Sequence, residues 1–501
     1  MSGGLGVIVP RWEWRTFGSR FGIAEERFAA LTPGAVQESD ELYLVGGAGN
    51  NVKVRADLMD IKILRETDAD GLERWEPVLK AAFPLPTAEV GHVFEALGLR
   101  VPDLARDAYT LDQFVDELVT PSGVLRAVRV HKRRVRYEVG GCTSEVSDVT
   151  VDGAPSRTIA IESTDAAAVV AAVHSVGLAG YDNMSYPVGL RAVLEGRPER
   201  YAVIDAGTNS IKFDVAERSA DGSLHPVVDR AELTRLGEGL DRTGEISPEA
   251  TARTADAIAG MAAEARDLGA RALVAVGTAG LRIARNGGDV VRTIRERTGV
   301  AIEVIPGEEE SRLAYLAVLA GLGLKDELVV VFDTGGGSTQ LTFGHGSRVD
   351  ERFSVEVGAV RFTEQFGLAG AVSTAVLDEA KSAIAEGLVR VDGHERPETL
   401  FGMGGAVTNL TAVKHQMATY DPDRVQGTIL GRDEIDRQIE LYRTRDADAR
   451  RAIVGLQPKR ADVILAGALI VRTVMDKLDS DAVTVSDRGL RHGVLAERFG
   501  A

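Results

Sequence analysis

Two short segments constrain the fold of this 501-residue chain more than any other feature: Asp205-Ala-Gly-Thr-Asn-Ser210 and Asp333-Thr-Gly-Gly-Gly-Ser-Thr339. Each follows an apolar run with strand character, Tyr201-Ala-Val-Ile204 and Leu328-Val-Val-Val-Phe332, and each sets an aspartate where the strand gives way to a Gly/Ser/Thr turn. Glycine permits the backbone conformations that aim successive N–H groups at an anion, and the aspartate beside them suits a metal ion or water. Two such turns, about 128 positions apart, imply two similar half-domains closing on one phosphate chain.

Length and composition set the frame. At about 150 residues per domain the chain should hold roughly three domains. A net charge of −17 argues against binding of duplex nucleic acid through bulk electrostatics, though not against a local basic site. Cys142 is the only cysteine, so no intramolecular disulfide or thiolate metal cluster can form, which suits the cytoplasm. The N-terminus lacks a charged segment followed by a long apolar one, so no signal peptide is expected. The most apolar stretch, Val463 to Met475, is broken by Arg472 and is too short to span a membrane.

Residues 1 to about 195 read differently from the rest. They contain all three tryptophans and several alternating runs with strand period: Arg11-Trp-Glu-Trp-Arg15, Asn51-Val-Lys-Val-Arg55, Asp60-Ile-Lys-Ile-Leu64 and Leu125-Arg-Ala-Val-Arg-Val130. Half-polar strands of this kind predict an α+β domain built on an antiparallel sheet or barrel with a polar inner face. A turn-rich segment with Pro187 and Pro198 marks the expected boundary before Tyr201. From there strands and helices alternate. Arg271 to Val276, Ile302 to Ile305, Ser354 to Val357 and Ala482 to Val485 read as strands, and Ala250 to Leu268 and Glu308 to Leu319 as helices, giving an α/β architecture. The expected units are 1–195, 200–325 and 326–501.

Seven motifs then occur in order: Ile204-Asp-Ala-Gly-Thr-Asn-Ser210, Leu236-Gly-Glu-Gly-Leu240, Gly277-Thr-Ala-Gly-Leu-Arg282 with Ala284-Arg-Asn286, Ile305-Pro-Gly-Glu-Glu-Glu-Ser-Arg-Leu313, Asp333-Thr-Gly-Gly-Gly-Ser-Thr339, Gly402-Met-Gly-Gly405 and Val485-Ser-Asp-Arg-Gly-Leu-Arg491. Over about residues 200 to 501 the chain resembles the exopolyphosphatase/guanosine pentaphosphate phosphatase (Ppx/GppA) family in its short form. The resemblance implies a two-lobed, actin-like ATPase (ribonuclease H-like) fold with the site between the lobes. It also implies release of terminal phosphate from inorganic polyphosphate or guanosine pentaphosphate. Mg²⁺ or Mn²⁺ is the implied cofactor, and a homodimer is allowed.

Carried over residue by residue, the resemblance makes Glu310 the base, with Glu309 beside it, and makes Arg282 the arginine that reaches phosphate. Three adjacent acids would also simply offset a helix N-terminal dipole. Asp205 and Asp333 become metal ligands. Thr208, Asn209, Ser210, Gly335, Gly336, Gly337, Ser338, Gly404 and Gly405 become phosphate contacts. One departure stands out. The family usually has an acid after Gly-Gly-Ser-Thr, whereas this chain has Gln340, a metal-ligand position without charge. Weaker metal binding, and even a non-catalytic polyphosphate or alarmone sensor, are the alternatives this raises. An actin-like kinase would need an acceptor-activating carboxylate instead.

The front domain resembles a divergent CYTH, or triphosphate tunnel, domain. Such domains open with Glu-x-Glu-x-Lys; here the strand reads Arg11-Trp-Glu-Trp-Arg15, and Ala160 stands where an acid precedes Glu162. Loss of acids with retention of bases argues for polyanion capture rather than metal-dependent cleavage. The candidates are Arg11, Arg15, Lys53, Arg55, Lys62, Arg126, Lys132, Arg134 and Arg136. A solvated basic strand is the plain alternative.

Overall fold

The computed structural model describes residues 10–46, 49–208, 210–238, 240–319, 326–336, 338–346 and 348–500, so two of the expected phosphate contacts, Asn209 and Gly337, lie outside the described residues. The front region is a closed antiparallel barrel. Its strands are β1 (Arg11–Gly18), β2 (Val36–Val45), β3 (Asn51–Arg55), β4 (Leu58–Thr67) and β5 (Glu73–Ala82), then, after a short ribbon of β6 (Leu85–Pro86) and β7 (Ala108–Tyr109), β8 (Arg126–Val139), β9 (Cys142–Val151) and β10 (Ala154–Ser163). The barrel order is β1-β10-β9-β8-β2-β3-β4-β5.

Strand alternation sorts the side chains. Along β8, Val128 and Val130 point inward at one end, followed by Lys132 and Arg134; Val52, Val54, Met59 and Ile61 point outward to a core under the helix Thr87–Ala96. Pro187 does not mark a turn. It is the second residue of a helix, Tyr186–Leu194, where its missing N–H costs nothing. That helix closes the apolar end of the barrel. Tyr186 stacks on Tyr43 at 5.2 Å and meets Phe17 edge-on, and Gly189 lies so close to the Phe17 ring that a Cβ would sit 2.1 Å from it.

The barrel centre is not poor in acids. Glu41, with no exposed side-chain surface, pairs with Lys132 at 2.6 Å and Lys53 at 3.1 Å, and Glu145 pairs with Arg15 and Arg134. Arg15 also holds Glu13 at 2.8 Å. Lys132 lies 3.9 Å from the centre of the Tyr186 ring. Burial pushes the Glu41 carboxyl up, but the two lysines outweigh it and hold it below the usual carboxylate range. Removing one partner of such a buried network leaves uncompensated charge, so Glu41→Ala should destabilise the barrel by about 3 kcal/mol or more. Urea denaturation followed by tryptophan fluorescence reads this unit alone, because Trp12, Trp14 and Trp75 all lie in barrel strands. Since the folded-state value is depressed, this contribution is present above about pH 4.5 and is lost as pH falls below it.

Two sheets follow, built on one plan. The first has the order β13-β12-β11-β14-β15, from β11 (Glu199–Ala206), β12 (Ser210–Arg218), β13 (Leu224–Leu233), β14 (Ala270–Gly277) and β15 (Ile302–Val304). The second has the order β18-β17-β16-β19-β21-β20, from β16 (Leu328–Thr334), β17 (Thr339–His345), β18 (Arg348–Val355), β19 (Thr399–Met403), β20 (Ile429–Gly431) and β21 (Ala482–Val485). In both, three antiparallel strands precede parallel additions, with the short β20 closing the second sheet antiparallel, and helices cover the sheet: this is the two-lobed actin-like architecture. The run around Ser354 belongs to β18, which begins earlier than its apolar residues indicate. The last helix, Leu490–Phe499, returns from the second lobe to the first. It packs on the helix Gly307–Leu319, where a Cβ on Gly493 would meet the Leu313 carbonyl at 1.9 Å. Among the described residues no helix is long and apolar enough to cross a membrane.

Candidate active site

The shared plan places the two aspartates in equivalent positions. Asp205 and Asp333 each end the central strand of a lobe, and each faces a residue seven positions later across an antiparallel pair: Asp205 opposite Lys212, Asp333 opposite Gln340. Directly opposed side chains share a face. Accordingly Lys212 Nζ donates to Asp205 Oδ2 at 3.3 Å, while Gln340 Nε2 donates to the hydroxyls of Ser338 at 2.8 Å and Ser354 at 3.4 Å.

The glycine motifs are explained by contact with these turns. Thr208 is wedged between two of them: a Cβ on Gly237 would sit 2.2 Å from its methyl group, and one on Gly280 2.9 Å from its hydroxyl. Gly237 also donates its N–H to the Thr208 carbonyl, and Ser210 accepts from Gly207. In the second lobe Gly335 donates to the Ser338 carbonyl, and Gly335 and Gly336 accept from the first residues of the helix Ala359–Phe366. Gly404 adopts φ +85°, and a Cβ there would lie 2.3 Å from Asp333 Oδ1. The turn into the helix Gly404–Lys414 therefore touches the carboxylate itself.

Glu310 stands in the first turn of the helix Gly307–Leu319. Its Oε2 accepts from Arg282 Nη1 at 3.3 Å, and the same nitrogen donates to the Ile305 carbonyl at 2.8 Å. Burial raises the Glu310 carboxyl above its ordinary value, Arg282 opposes this, and Asp205 adds to it. Glu309 turns elsewhere. It forms a fork with Arg312 (2.6 and 2.8 Å), which also pairs with Glu497 of the last helix, and this holds its carboxyl low.

Burial also raises Asp333, against the fields of Lys212 and Arg460. Arg460, in the short turn Pro458–Arg460, approaches Gly405 so closely that a Cβ would lie 2.5 Å from its guanidinium carbon. No sequence motif signals Arg460, since its neighbours in space come from distant segments. Lys212 did have a signal: it follows Asp205 by the interval that separates Gln340 from Asp333.

The cleft thus collects three cations, Lys212, Arg282 and Arg460, around three carboxyl groups, Asp205, Glu310 and Asp333. The front barrel collects its own set. Lys53, Lys132, Arg15 and Arg134 are engaged by internal acids, Arg55 makes longer pairs of 3.9 and 3.7 Å with Glu41 and Asp60, and Arg11 pairs with Glu162. Lys62 and Arg136 have no ion pair among the described residues. Arg126 is apart from these, bonded to Asp152 beyond the Val128 end of β8.

Residues 215–500 match the Ppx/GppA phosphatase family. The chain is 32% identical over 320 residues to Exopolyphosphatase 2 of Mycobacterium tuberculosis, spanning 60% of this chain and 99% of that one. It is 32% identical over 302 residues to guanosine-5′-triphosphate,3′-diphosphate pyrophosphatase of Photobacterium profundum, spanning 59% of each. The crystal structure of the Aquifex aeolicus Ppx/GppA phosphatase, type II variant, superposes with a TM-score of 0.57 at 30% identity, over 60% of this chain and 99% of its own. With more than half of its length matched and both aspartate turns placed alike in two equivalent lobes, the chain belongs to the Ppx/GppA phosphatase family.

Proposed function

We propose that the chain is an exopolyphosphatase-type phosphohydrolase that removes terminal phosphate from inorganic polyphosphate by attack of water. The observation that carries this reading is the convergence of a half-buried carboxyl group, Glu310, with Arg282 and with Asp205. Hydrolysis of a phosphoanhydride requires an in-line water, a group to take its proton and positive charge on the phosphate oxygens. Glu310, its carboxyl raised above the ordinary value by burial, is suited to accept the proton. Arg282, Lys212 and Arg460 supply charge, and Thr208, Ser210, Gly335, Gly336 and Ser338 orient the chain. Glu309 acts at a distance, tying the Glu310 helix to the last helix through Arg312.

The donor set fits a hard divalent cation: Asp205, Asp333 and the amide of Gln340 offer oxygen, and the raised Asp333 carboxyl gains from a cation. Mg²⁺ or Mn²⁺ bound there would neutralise charge on the phosphate oxygens. Gln340 contributes no charge, so Gln340→Glu should tighten Mn²⁺ binding by about tenfold, measured by titration without substrate.

The cleft chemistry serves guanosine pentaphosphate equally, and the Photobacterium relative favours keeping that substrate as the second reading. Phosphate release from polyphosphate, guanosine pentaphosphate and ATP, compared with Mg²⁺ and Mn²⁺, ranks them.

The barrel is read as a CYTH-like grip on the polyanion, acting in the cytoplasm. Internal acids neutralise its centre, which leaves the mouth opposite the Tyr186–Leu194 helix, with Lys62 and Arg136, to hold phosphate. Charge reversal at both, Lys62→Glu with Arg136→Glu, should raise KM for long polyphosphate about tenfold while leaving short chains nearly unchanged, since a second grip acts through effective concentration. Equal KM for long chains in variant and wild type would remove the barrel from substrate binding.

A further inference from the structure

We propose a divalent-cation site formed by Asp214 and Asp229 beneath the last helix, separate from the Asp205–Asp333 cleft. Asp214 lies on β12 and Asp229 directly opposite it on β13. Like charges so placed repel. Asp229 is compensated: Arg491 grips both its oxygens at 2.8 Å. Asp214 is not. Its side chain is 1% exposed, and neither carboxylate oxygen has a hydrogen-bond partner. A buried anion left in this state is costly unless a cation joins it.

His492, on the last helix, closes the group, with Nε2 3.6 Å from Asp214 Oδ2 and 3.5 Å from Asp229 Oδ2. One ligand atom from each of the three residues lies within 4.8 Å of the others. The histidine is not itself a ligand. Its Nδ1 accepts the Gly489 N–H at 3.0 Å, so the neutral ring carries its proton on Nε2, the atom that faces the carboxylates, and has no lone pair there for a metal. The site is therefore all oxygen at the ion, with the His492 ring facing the two carboxylates, a pattern that selects Mg²⁺, Mn²⁺ or Ca²⁺ over softer metals. The remaining neighbours fit this. Asp487, which accepts from Tyr420 at 2.5 Å, adds negative charge nearby, and Arg491 is committed to Asp229. The ion would fasten β12 to β13 beneath the helix that abuts the Glu310 helix.

The test is a count of Mn²⁺ bound to the full-length protein, from the electron paramagnetic resonance of free Mn²⁺, without substrate. Asp214→Asn should bind one equivalent fewer than wild type. Asp333→Asn tests the cleft separately, so failure of either assignment leaves the other standing. Because Asn removes an uncompensated buried charge, Asp214→Asn should melt no lower than wild type in EDTA. An unchanged number of equivalents in Asp214→Asn would overturn the proposal. So would a lower melting temperature in EDTA, since it would show that the carboxylate has a partner in the metal-free protein.

Discussion

Glu310→Gln should lower kcat for phosphate release about 10³-fold with KM nearly unchanged, because it removes proton acceptance without removing charge contacts to substrate. The amide is isosteric, and Arg282 keeps its bond to the Ile305 carbonyl, so the local backbone has reason to stay in place. The same assignment fixes the sign of the pH dependence. The base must be unprotonated, so kcat falls as pH drops through its pKa, and burial sets that pKa above the ordinary glutamate value. Arg282 opposes the rise. Arg282→Ala should therefore move the acid limb of the profile to higher pH besides lowering the rate, and Arg282→Lys should recover part of both. A structural role for Glu310 would lower activity without moving the limb.

Gly404→Ala should reduce kcat/KM about 100-fold, the scale on which a displacement of about 1 Å acts. The new methyl group would lie 2.3 Å from Asp333 Oδ1, and the residue's φ of +85° is unfavourable for alanine. The backbone penalty is only about 1 kcal/mol, so the melting temperature should move little. Gly405→Ala is the comparison: its methyl would displace the Arg460 guanidinium rather than Asp333, so its loss reports on that cation instead. An unchanged kcat/KM in Gly404→Ala would mean that the carboxylate position does not govern the rate.

The fold was readable where local pattern decides it. Apolar runs ending in Asp-Gly turns form β11 and β16, and alternating runs form barrel strands, because period and turn chemistry are local properties. What escaped depended on register. Glu41 enters the barrel only once β2 lies beside β8 and β3, and Asp60 only once β4 lies beside β3, and their presence changes the interior from a basic one to one whose central bases are paired. Proline suits both turns and helix starts, and at Pro187 the packing of Tyr186 on Tyr43 selects the helix start. Arg460 reaches the cleft through a contact with Gly405 that no local pattern encodes. Asp214 sits between Phe213 and Val215 in β12, and only the opposing strand and last helix make its burial meaningful.

The central claim is that water attacks the terminal phosphorus of a chain held between the two aspartate turns. Hydrolysis of polyphosphate in H₂¹⁸O with Mg²⁺, followed by ³¹P NMR of the product, tests it most directly. Wild type should release free phosphate carrying one ¹⁸O per molecule, with Glu310→Gln releasing about 10³-fold less. Tight binding of polyphosphate with no phosphate release by wild type, or phosphate released without ¹⁸O, would contradict it.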